Sequence, residues 1–332
     1  MSLFATLTWD DIQLGEQLGR GAFNQVNEAF LKPKQGLPSA LYTNDVQSYA
    51  LKFISDNRKS HEENLKISLT DLQSEANLLS ELSHVNIIKL YAVHEDMGLV
   101  DVAFLLLDRL FDTVEDKLKS WSIQLLNRSP ASVFADTMSL RKQHLAQDER
   151  LALVAVPVAS AMEYLHSQRI VVRDLKPANL GFSRDGTLKM FDLGLARKLP
   201  NDGRRLTGCT GTMRYMAPEV AESQHYGVSA DTYSFGILLW ELCTLKKPFD
   251  KLTPDEIMEL LVKEKRPKLS RKDGSPKVQQ LIMTCWDGHA ENRPSFATIH
   301  EKLPCILNLP LLHVSKNIRG FTLRRRSKSS EG

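Results

Sequence analysis

The sequence predicts an α+β protein with two lobes, a small β-rich N-terminal lobe that carries one long helix and a larger, mainly helical C-terminal lobe. Two observations support this division. Runs with β-branched and aromatic residues, separated by Gly, Pro and Asn, dominate the first third of the chain. Further along, apolar residues recur mostly at three- and four-residue steps, the spacing of helices that bury one face.

The N-terminal lobe is predicted over about 9–107, after an extension at 1–8. Strands are expected at 12–18, 25–30, 49–54, 86–94 and 102–107, and a polar insertion bearing Pro and Gly occupies 31–45. The long helix is indicated by leucines at helical steps, namely Leu72, Leu78, Leu79 and Leu82.

The C-terminal lobe is predicted over about 112–308, behind a linker at 108–111. A helical stretch at 112–148 is interrupted by NRSPAS, and two mostly apolar helices are expected at 151–167 and 228–245. The polar, basic tail at 309–332 is expected to be disordered.

Composition and charge narrow the class of protein. A formal net charge of +3 is too small to indicate a nucleic-acid partner, and the four cysteines show no metal-binding spacing. The longest apolar run, at 151–162, contains Pro157 and is shorter than the roughly 20 residues of a membrane helix. We expect a cytoplasmic protein with no membrane partner. The basic tail, with Arg324, Arg325 and Arg326, also fits a nuclear-import signal, and the oligomeric state stays open.

The segment LGRGAFNQV indicates a glycine-rich loop between two strands. Backbone N–H groups beside glycine approach phosphate oxygens without an intervening Cβ. A plain β-hairpin is the alternative for this segment alone. Asn24 stands where a third glycine would complete G-x-G-x-x-G, and asparagine tolerates positive φ, so we expect it to keep the turn. The candidate phosphate-covering residues are Leu18, Gly19, Arg20, Gly21, Ala22, Phe23 and Asn24.

A lysine in a mostly apolar strand supplies a candidate cation. Lys52, in the run YALK, needs a partner or must bury only its aliphatic stem. Glu75 shares a helix face with the leucines at 72, 78, 79 and 82, whereas Glu62 and Glu63 lie outside that pattern. We therefore predict a Lys52–Glu75 ion pair, with an unpaired surface lysine as the alternative.

The most specific pattern is RDLKPANLGF followed by MFDLGLA. Asp174 can accept a hydroxyl proton and Lys176 can neutralise a transferring phosphoryl group, while Asn179 and Asp192 offer oxygens of the kind that Mg²⁺ prefers. A single Asp is more often a turn residue than a ligand. Their order behind a glycine loop and a strand lysine indicates phosphoryl transfer.

On these motifs the chain resembles the eukaryotic protein kinase family from about residue 9 to 307. Ala217-Pro218-Glu219 looks like the family's A-P-E, Asp231 like its loop-anchoring aspartate, and Arg293 like the partner of the A-P-E glutamate. The resemblance implies a two-lobed protein-kinase-like fold, with ATP in the cleft and Mg²⁺ (or Mn²⁺) on its phosphates. Lys52 would contact the α- and β-phosphates, and Asn179 and Asp192 would hold the metal.

The resemblance also places the adenine base. It would lie between Val26, Ala50 and the linker residues Asp108–Leu110, with Leu107 as gatekeeper. Gly181 stands where the family often has a leucine beneath the base, and we expect this smaller residue to weaken base packing.

The acceptor is expected to be a protein serine or threonine. Lys176 in DLKPAN resembles the serine/threonine branch, and Thr212 matches the threonine that contacts the catalytic Asp and Lys there. The segments TGTMRYMAPE and CWDGHAENRPSF are similar to the tyrosine-kinase-like group, which includes many serine/threonine enzymes.

Phosphorylation of the segment before A-P-E is a further hypothesis. In the family, an arginine such as Arg173 is often neutralised by a phosphate on this segment, and Thr207 and Thr210 are the candidates beside Arg204 and Arg205. The alternative is that both threonines are ordinary polar loop residues.

Besides Asn24 and Gly181, two residues depart from the family's pattern. Val172 replaces the histidine of H-R-D and Leu193 replaces the phenylalanine of D-F-G. The competing class is thus a catalytically weak pseudokinase that acts as a scaffold. Pseudokinases usually lack the strand lysine, the catalytic aspartate or the metal-binding aspartate, whereas this chain keeps Lys52, Asp174 and Asp192.

Overall fold

A computed structural model of the chain describes residues 5–21, 24–33, 48–55, 62–126 and 136–309. The predicted α+β division is confirmed. The N-terminal lobe holds a six-stranded sheet in the order β1-β5-β6-β4-β3-β2. These strands are β1 (Ala5–Leu7), β2 (Ile12–Arg20), β3 (Asn24–Leu31), β4 (Tyr49–Ile54), β5 (Leu90–His94) and β6 (Phe104–Asp108).

One long helix, α1 (Glu62–Glu81), packs on the inner face of this sheet. Leu72 and Leu79 face the sheet, and Leu105 and Leu107 meet them from β6. The outer face carries a smaller apolar cluster that includes Leu51 and the edge-to-face ring pair of Trp9 and Phe104. Because alternate residues of a strand face opposite sides, this division fixes which side chains of β4 and β6 point into the cleft.

The C-terminal lobe is mainly helical. Its helices are α2 (Val114–Leu126), α3 (Asp136–Ser167), α4 (Pro218–Ala221), α5 (Ser229–Thr244), α6 (Pro254–Val262), α7 (Pro276–Cys285) and α8 (Phe296–Ile306). α5 is buried nearly throughout, because it is apolar on all sides and packs against α3 and α7. Short strands carry the loops of the cleft, namely β7 (Asp112–Thr113), β8 (Ile170–Val171), β9 (Leu180–Phe182), β10 (Leu188–Met190) and β11 (Arg197–Lys198).

Two of the described helices, α1 and α3, begin earlier than the sequence pattern predicts. α1 begins at Glu62 rather than near residue 69. α3 begins at Asp136 and runs without interruption into the predicted 151–167 helix. The amide of the buried Gln147 donates to the Cys243 and Lys272 carbonyl oxygens, which ties this polar first half of α3 to the lobe.

Two strand predictions differ from the structure for identifiable reasons. Residues 86–89 do not extend β5, because Asn86 bonds to the C-terminal lobe, where its amide donates to Leu188 O and its carbonyl accepts from Met190 N. Ala5–Leu7, within the predicted extension, pair in parallel with β5 and form the sheet edge.

Several predictions lie outside the described residues. These are the loop residues Ala22 and Phe23, most of the insertion at 31–45, the NRSPAS interruption, and the tail beyond residue 309. Within the described ranges, no helix combines the length and the apolar character needed to cross a membrane.

Candidate active site

Lys52 joins the two lobes at the cleft. Its Nζ lies 2.6 Å from Glu75 Oε2 on α1 and 2.8 Å from Asp192 Oδ1, which follows β10. Both Lys52 and Glu75 are buried. Burial acts to lower the pKa of Lys52, but the two carboxylates outweigh it and hold that pKa above its usual range. The ammonium group is therefore charged and fixed in position by two anions.

Asp192 adopts a left-handed backbone conformation at the cleft. Its φ is +59°, which an aspartate tolerates better than most residues, and half of its side chain is exposed. The ammonium group of Lys52 lowers the pKa of Asp192, with burial opposing. The carboxylate is thus ionised and open to the cleft.

A second network surrounds Asp174. Its Oδ1 accepts hydrogen bonds from the Thr212 backbone N at 2.9 Å and the Thr212 hydroxyl at 2.7 Å. Its Oδ2 accepts from Lys176 Nζ at 2.7 Å and from Asn179 Nδ2 at 3.1 Å. Lys176 also donates to Thr212 Oγ1 over 2.9 Å. Three residues, up to 38 positions away from Asp174 in the chain, thus hold its carboxylate in a single orientation.

Asp231 fixes the loop that presents Asp174. Its carboxylate accepts from the backbone N–H groups of Val172 at 2.8 Å and Arg173 at 2.9 Å. His166 Nε2 lies 2.9 Å from the same carboxylate. His166 is not among the predicted site residues, because its spacing from Asp231 becomes meaningful only once α3 and α5 are packed. Val172 is buried beside these bonds, as an apolar residue can be.

The glycine-rich segment forms a hairpin between β2 and β3. Gly19 pairs with Val26 and Arg20 with Gln25, and Gly21 N donates to Asn24 O over 2.7 Å. The expectation that Asn24 would use positive φ is wrong. Asn24 is the first residue of β3, pairs with Ile54 and is absent from the residues with positive φ, so its backbone is that of a strand.

The residues predicted around the base lie on the N-terminal sheet and in the linker that follows it. Val26 pairs with Lys52 and Ala50 with Leu107, so these four side chains share the inner sheet face. Asp108 ends β6 and is followed by the linker.

The expectation that Gly181 weakens base packing stays a prediction, and neighbouring atoms occupy the space where a larger side chain would begin. A Cβ added at Gly181 would lie 2.9 Å from Leu110 Cδ1, 3.2 Å from Phe191 Cε1 and 3.3 Å from Asp112 O, because these neighbours already fill the position.

The segment before A-P-E is positioned by arginines. Arg173 Nε donates to Leu195 O over 2.6 Å, and its Nη1 lies 3.5 Å from the Tyr226 hydroxyl. Thr207 is exposed and Thr210 half-buried. Arg204 pairs with Asp202 at 2.6 Å.

The donors at Asn179 and Asp192 fit a hard divalent cation. Asn179 directs its amide nitrogen toward Asp174 O at 3.0 Å, which leaves the amide oxygen on the other side. The backbone N of Phe191 donates to Asn179 O over 3.0 Å, so Asn179 lies against the residue that precedes Asp192. Carboxylate and amide oxygens suit Mg²⁺. No cluster of three or more His, Cys, Asp or Glu side chains that could hold a metal occurs among the described residues.

Comparison with known proteins assigns the chain to a family. Residues 12–303 match the family described as protein tyrosine and serine/threonine kinase. The serine/threonine-protein kinase STY17 of Arabidopsis thaliana is 41% identical over 47% of this chain and 27% of its own length. The serine/threonine-protein kinase CTR1 of the same species is 31% identical over 90% of this chain and 32% of its length. The dual specificity protein kinase shkB of Dictyostelium discoideum is 35% identical over 46% of this chain and 24% of its length.

This chain therefore spans no more than about a third of each of these relatives. The names of STY17 and CTR1 agree with the predicted serine/threonine specificity, whereas shkB is named a dual specificity kinase, and the family match covers both lobes of the structure. The chain belongs to the protein tyrosine and serine/threonine kinase family.

Proposed function

We propose that this chain is an ATP- and Mg²⁺-dependent serine/threonine protein kinase that transfers the γ-phosphoryl group of ATP to protein hydroxyls. One observation carries the proposal. Lys52 contacts Glu75 and Asp192 at once, at 2.6 and 2.8 Å. Kinase catalysis requires both the strand lysine–helix glutamate pair and the metal-binding aspartate to be in place. Leu193, which replaces the phenylalanine of D-F-G, is buried in the core. The contacts of Lys52 with Glu75 and Asp192 are in place despite this replacement.

Asp174 is proposed to accept the proton of the acceptor hydroxyl. Each oxygen of Asp174 already accepts two hydrogen bonds, Oδ1 from Thr212 and Oδ2 from Lys176 and Asn179, so the acceptor hydroxyl would replace one of these donors. Lys176 Nζ is 2.7 Å from Oδ2 and would lie beside the incoming phosphoryl oxygens. As the hydroxyl oxygen bonds to phosphorus and its proton passes to Asp174, the bond to the leaving ADP oxygen breaks.

The phosphates are proposed to lie between the β2–β3 hairpin and Lys52. Backbone N–H groups at 18–24 would cover them, Lys52 would contact the α- and β-phosphates, and Asn179 and Asp192 would hold the metal. When bound, Mg²⁺ neutralises charge on the phosphates and orients them. The base is proposed to lie between Val26, Ala50 and the linker.

Serine and threonine are proposed as the acceptors. The bond of 2.9 Å from Lys176 to Thr212 places this pair beside Asp174, the arrangement expected from the serine/threonine branch. STY17 and CTR1 carry serine/threonine kinase names, whereas shkB is named a dual specificity kinase. Phosphotyrosine in the products would therefore correct the acceptor class but leave the reaction type unchanged.

Phosphorylation at Thr207 or Thr210 is proposed to raise activity. Leu206, next to Thr207, exchanges backbone hydrogen bonds with Tyr226, whose hydroxyl lies 3.5 Å from Arg173. A phosphate of about −1.5 to −2 charge on this segment could thus pair with Arg173 and order it. If the doubly substituted Thr207→Ala, Thr210→Ala protein keeps full activity, this regulation is excluded.

The decisive experiment compares the wild type with Asp192→Asn and Asp101→Asn. Purified protein is incubated with labelled ATP, Mg²⁺ and generic acceptor proteins, and phosphoamino acids are identified. Asp101 is an exposed carboxylate in the β5–β6 connection and serves as the matched control. We expect phosphoserine and phosphothreonine from the wild type and Asp101→Asn but none from Asp192→Asn. Nucleotide binding without transfer to any acceptor, including the chain itself, would establish the pseudokinase instead.

A further inference from the structure

A surface cavity of about 510 Å³ lies on the C-terminal lobe at the end of α5. Its apolar lining comes from Trp240 and Leu245 at the end of α5, from Phe249 in the connection to α6, and from Pro267 after α6. This volume falls within the range of ligand sites, which combine an apolar lining with a few polar groups. None of the candidate active-site residues lines this cavity, so it is separate from the cleft.

Positive charge surrounds the cavity. Lys246, Lys247 and Lys268 line it and are exposed, and none of the three side chains forms an ion pair or a hydrogen bond with a described residue. Asp250 is the only acidic residue among the described residues that line it. The adjoining segment 263–272, KEKRPKLSRK, has six basic residues and one acidic residue. Three unpaired ammonium groups around one concavity attract a negatively charged ligand.

Both walls of the cavity are held by hydrogen bonds from other elements. Trp240 Nε1 donates to the Lys268 carbonyl oxygen over 3.0 Å, which fixes the wall that follows α6. Arg214 donates to the Pro248 carbonyl oxygen over 2.8 Å and also to that of Phe249, which fixes the wall that follows α5. A preformed cavity loses little conformational freedom when a ligand binds, so these bonds favour binding.

The wall that follows α5 also contains strained backbone. Leu245 has a φ of +56° and Phe249 a φ of +51°, values that bulky residues rarely adopt. Such conformations are unfavourable and cluster at binding sites and active sites. Both side chains line the cavity, so the strain coincides with it.

An acidic peptide matches this combination of groups better than other anionic ligands do. An extended peptide can pack one bulky apolar side chain against Trp240 and Phe249 while carboxylates on either side of it reach the lysines. A bilayer surface or a free phosphate group would contact the lysines but leave the apolar lining uncovered. Lysine acts as a compact point charge, whereas planar bidentate recognition of phosphate favours arginine.

We propose that this cavity binds an acidic peptide segment of a partner protein, with one bulky apolar side chain in the cavity and Asp or Glu residues beside the three lysines. The inference goes beyond the proposed function, because it concerns a site outside the cleft and requires no transfer of phosphate. Arg214, which holds one wall, lies two residues after Thr212, so the cavity adjoins the segment that contacts Asp174.

Fluorescence anisotropy of a labelled peptide tests the proposal with the full chain. The acidic probe has a central phenylalanine with glutamates on both sides, and matched probes replace the phenylalanine by serine or the glutamates by glutamines. We expect both replacements to weaken binding at least about tenfold. Binding of the acidic probe should also weaken as the salt concentration rises, because exposed charges are screened.

Charge changes around the cavity should act in opposite directions on the affinity for the acidic probe. Lys247→Glu and Lys268→Glu should each weaken binding about fivefold, whereas Asp250→Asn should tighten it about twofold. Lys302→Glu, at an exposed lysine on α8, is the matched control and should bind like the wild type. Phe249→Ala removes apolar lining and should weaken binding about tenfold. If that variant does not fold, Phe249→Leu should weaken binding about threefold.

Several results would overturn the inference. They are wild-type affinity in both Lys247→Glu and Lys268→Glu, equal affinity for the acidic and the serine probe, and a wild type that does not bind the acidic probe. Vesicles of anionic lipid or a single-stranded oligonucleotide that displaced the probe and bound more tightly would assign this surface to lipid or nucleic acid instead. Peptide binding by a chain that transfers no phosphate would overturn the proposed function alone.

Discussion

Tyr215 donates its phenolic hydrogen to Glu241 Oε2 over 2.6 Å in the interior of the C-terminal lobe. Tyr215 lies three residues after Thr212, and Glu241 lies on α5, so this bond ties the segment beside Asp174 to the central helix. Both side chains are buried. Burial raises the pKa of Glu241 from 4.5 to about 7, and the hydrogen bond from Tyr215 opposes this shift only in part.

Glu241→Gln should therefore remove a pH dependence of stability. The folded protein holds the Glu241 proton up to about pH 7, whereas the unfolded chain releases it near pH 4.5. The contribution of Glu241 to the free energy of unfolding is thus fully present below pH 4.5 and is lost as pH rises to about 7. Relative to the variant, the wild type should lose about 3 kcal/mol of unfolding free energy across this window.

Urea denaturation of both proteins across this pH range measures the difference. Glu301→Gln, at an exposed carboxylate on α8, is the control and should track the wild type at every pH. A constant difference between wild type and Glu241→Gln would show that the Glu241 carboxyl has the same pKa in the folded and the unfolded protein.

Gly211→Ala should abolish activity while the fold persists. Gly211 has φ of +114°, and an added Cβ would overlap the Arg173 carbonyl oxygen next to Asp174. The methyl group must push Thr212 away from Asp174, and misplacement by about 1 Å can cost about 100-fold in rate. Gly208 also has positive φ, at +92°, but a Cβ added there would meet no atom within 4 Å. Gly208→Ala carries the same backbone strain without the overlap.

Steady-state rates with ATP and a protein acceptor distinguish these two variants. We expect kcat of Gly211→Ala to fall at least about 100-fold and that of Gly208→Ala to stay within about threefold of wild type. Similar melting temperatures for the two would assign the loss to local geometry. Equal losses of kcat would instead indicate that backbone strain alone is responsible.

Lys52→Met should lower both activity and stability, and the two losses should be separable. The substitution leaves the buried Glu75 carboxylate, 2% exposed, without its cation, which costs about 3–5 kcal/mol in buried pairs. Adding Glu75→Gln removes the unpaired charge, so Lys52→Met, Glu75→Gln should recover most of the free energy of unfolding. Neither variant should transfer phosphate. Chemical denaturation and labelled-ATP assays measure the two properties, and a double variant no more stable than Lys52→Met would contradict the argument.

Much of the fold and of the charged site could be predicted from the sequence because local patterns carry that information. Helical spacing of leucines put Glu75 on the buried face of α1, and an apolar strand around Lys52 required a partner there. The motif around Asp174, Asn179 and Asp192 has a fixed spacing, and the structure brings those residues to one cleft.

The features that could not be predicted from the sequence depend on packing between segments that are distant in the chain. The surroundings of Gly181 come from Leu110 and Phe191, and no spacing rule connects those three positions. The pairing of Tyr215 with Glu241 depends on how α5 is rotated in the core. The left-handed residue at the cleft is Asp192 rather than Asn24, because Asn24 belongs to strand β3, whereas Asp192 turns toward Lys52.

Arg293 and Glu219 form a paired contact that should be among the strongest single contributions to the C-terminal lobe. Arg293 Nη1 donates to Glu219 Oε1 over 2.6 Å and Nη2 to Oε2 over 2.8 Å, with the arginine side chain fully buried. A planar guanidinium matches both carboxylate oxygens, which an ammonium group cannot do. Glu219→Ala leaves the buried Arg293 cation unpaired and should lower the free energy of unfolding by about 3–5 kcal/mol.

Arg293→Lys discriminates between charge and geometry at this contact. It keeps one positive charge but loses the parallel hydrogen bonds and the contact of Arg293 Nε with the Asp287 carbonyl oxygen. We expect Arg293→Lys to lower the free energy of unfolding by about 1–2 kcal/mol less than Glu219→Ala does, because one charge-assisted hydrogen bond survives. Urea denaturation of both variants shows which of them loses more free energy of unfolding. Equal losses would show that the fork geometry, rather than the cancellation of charge, holds A-P-E against the lobe.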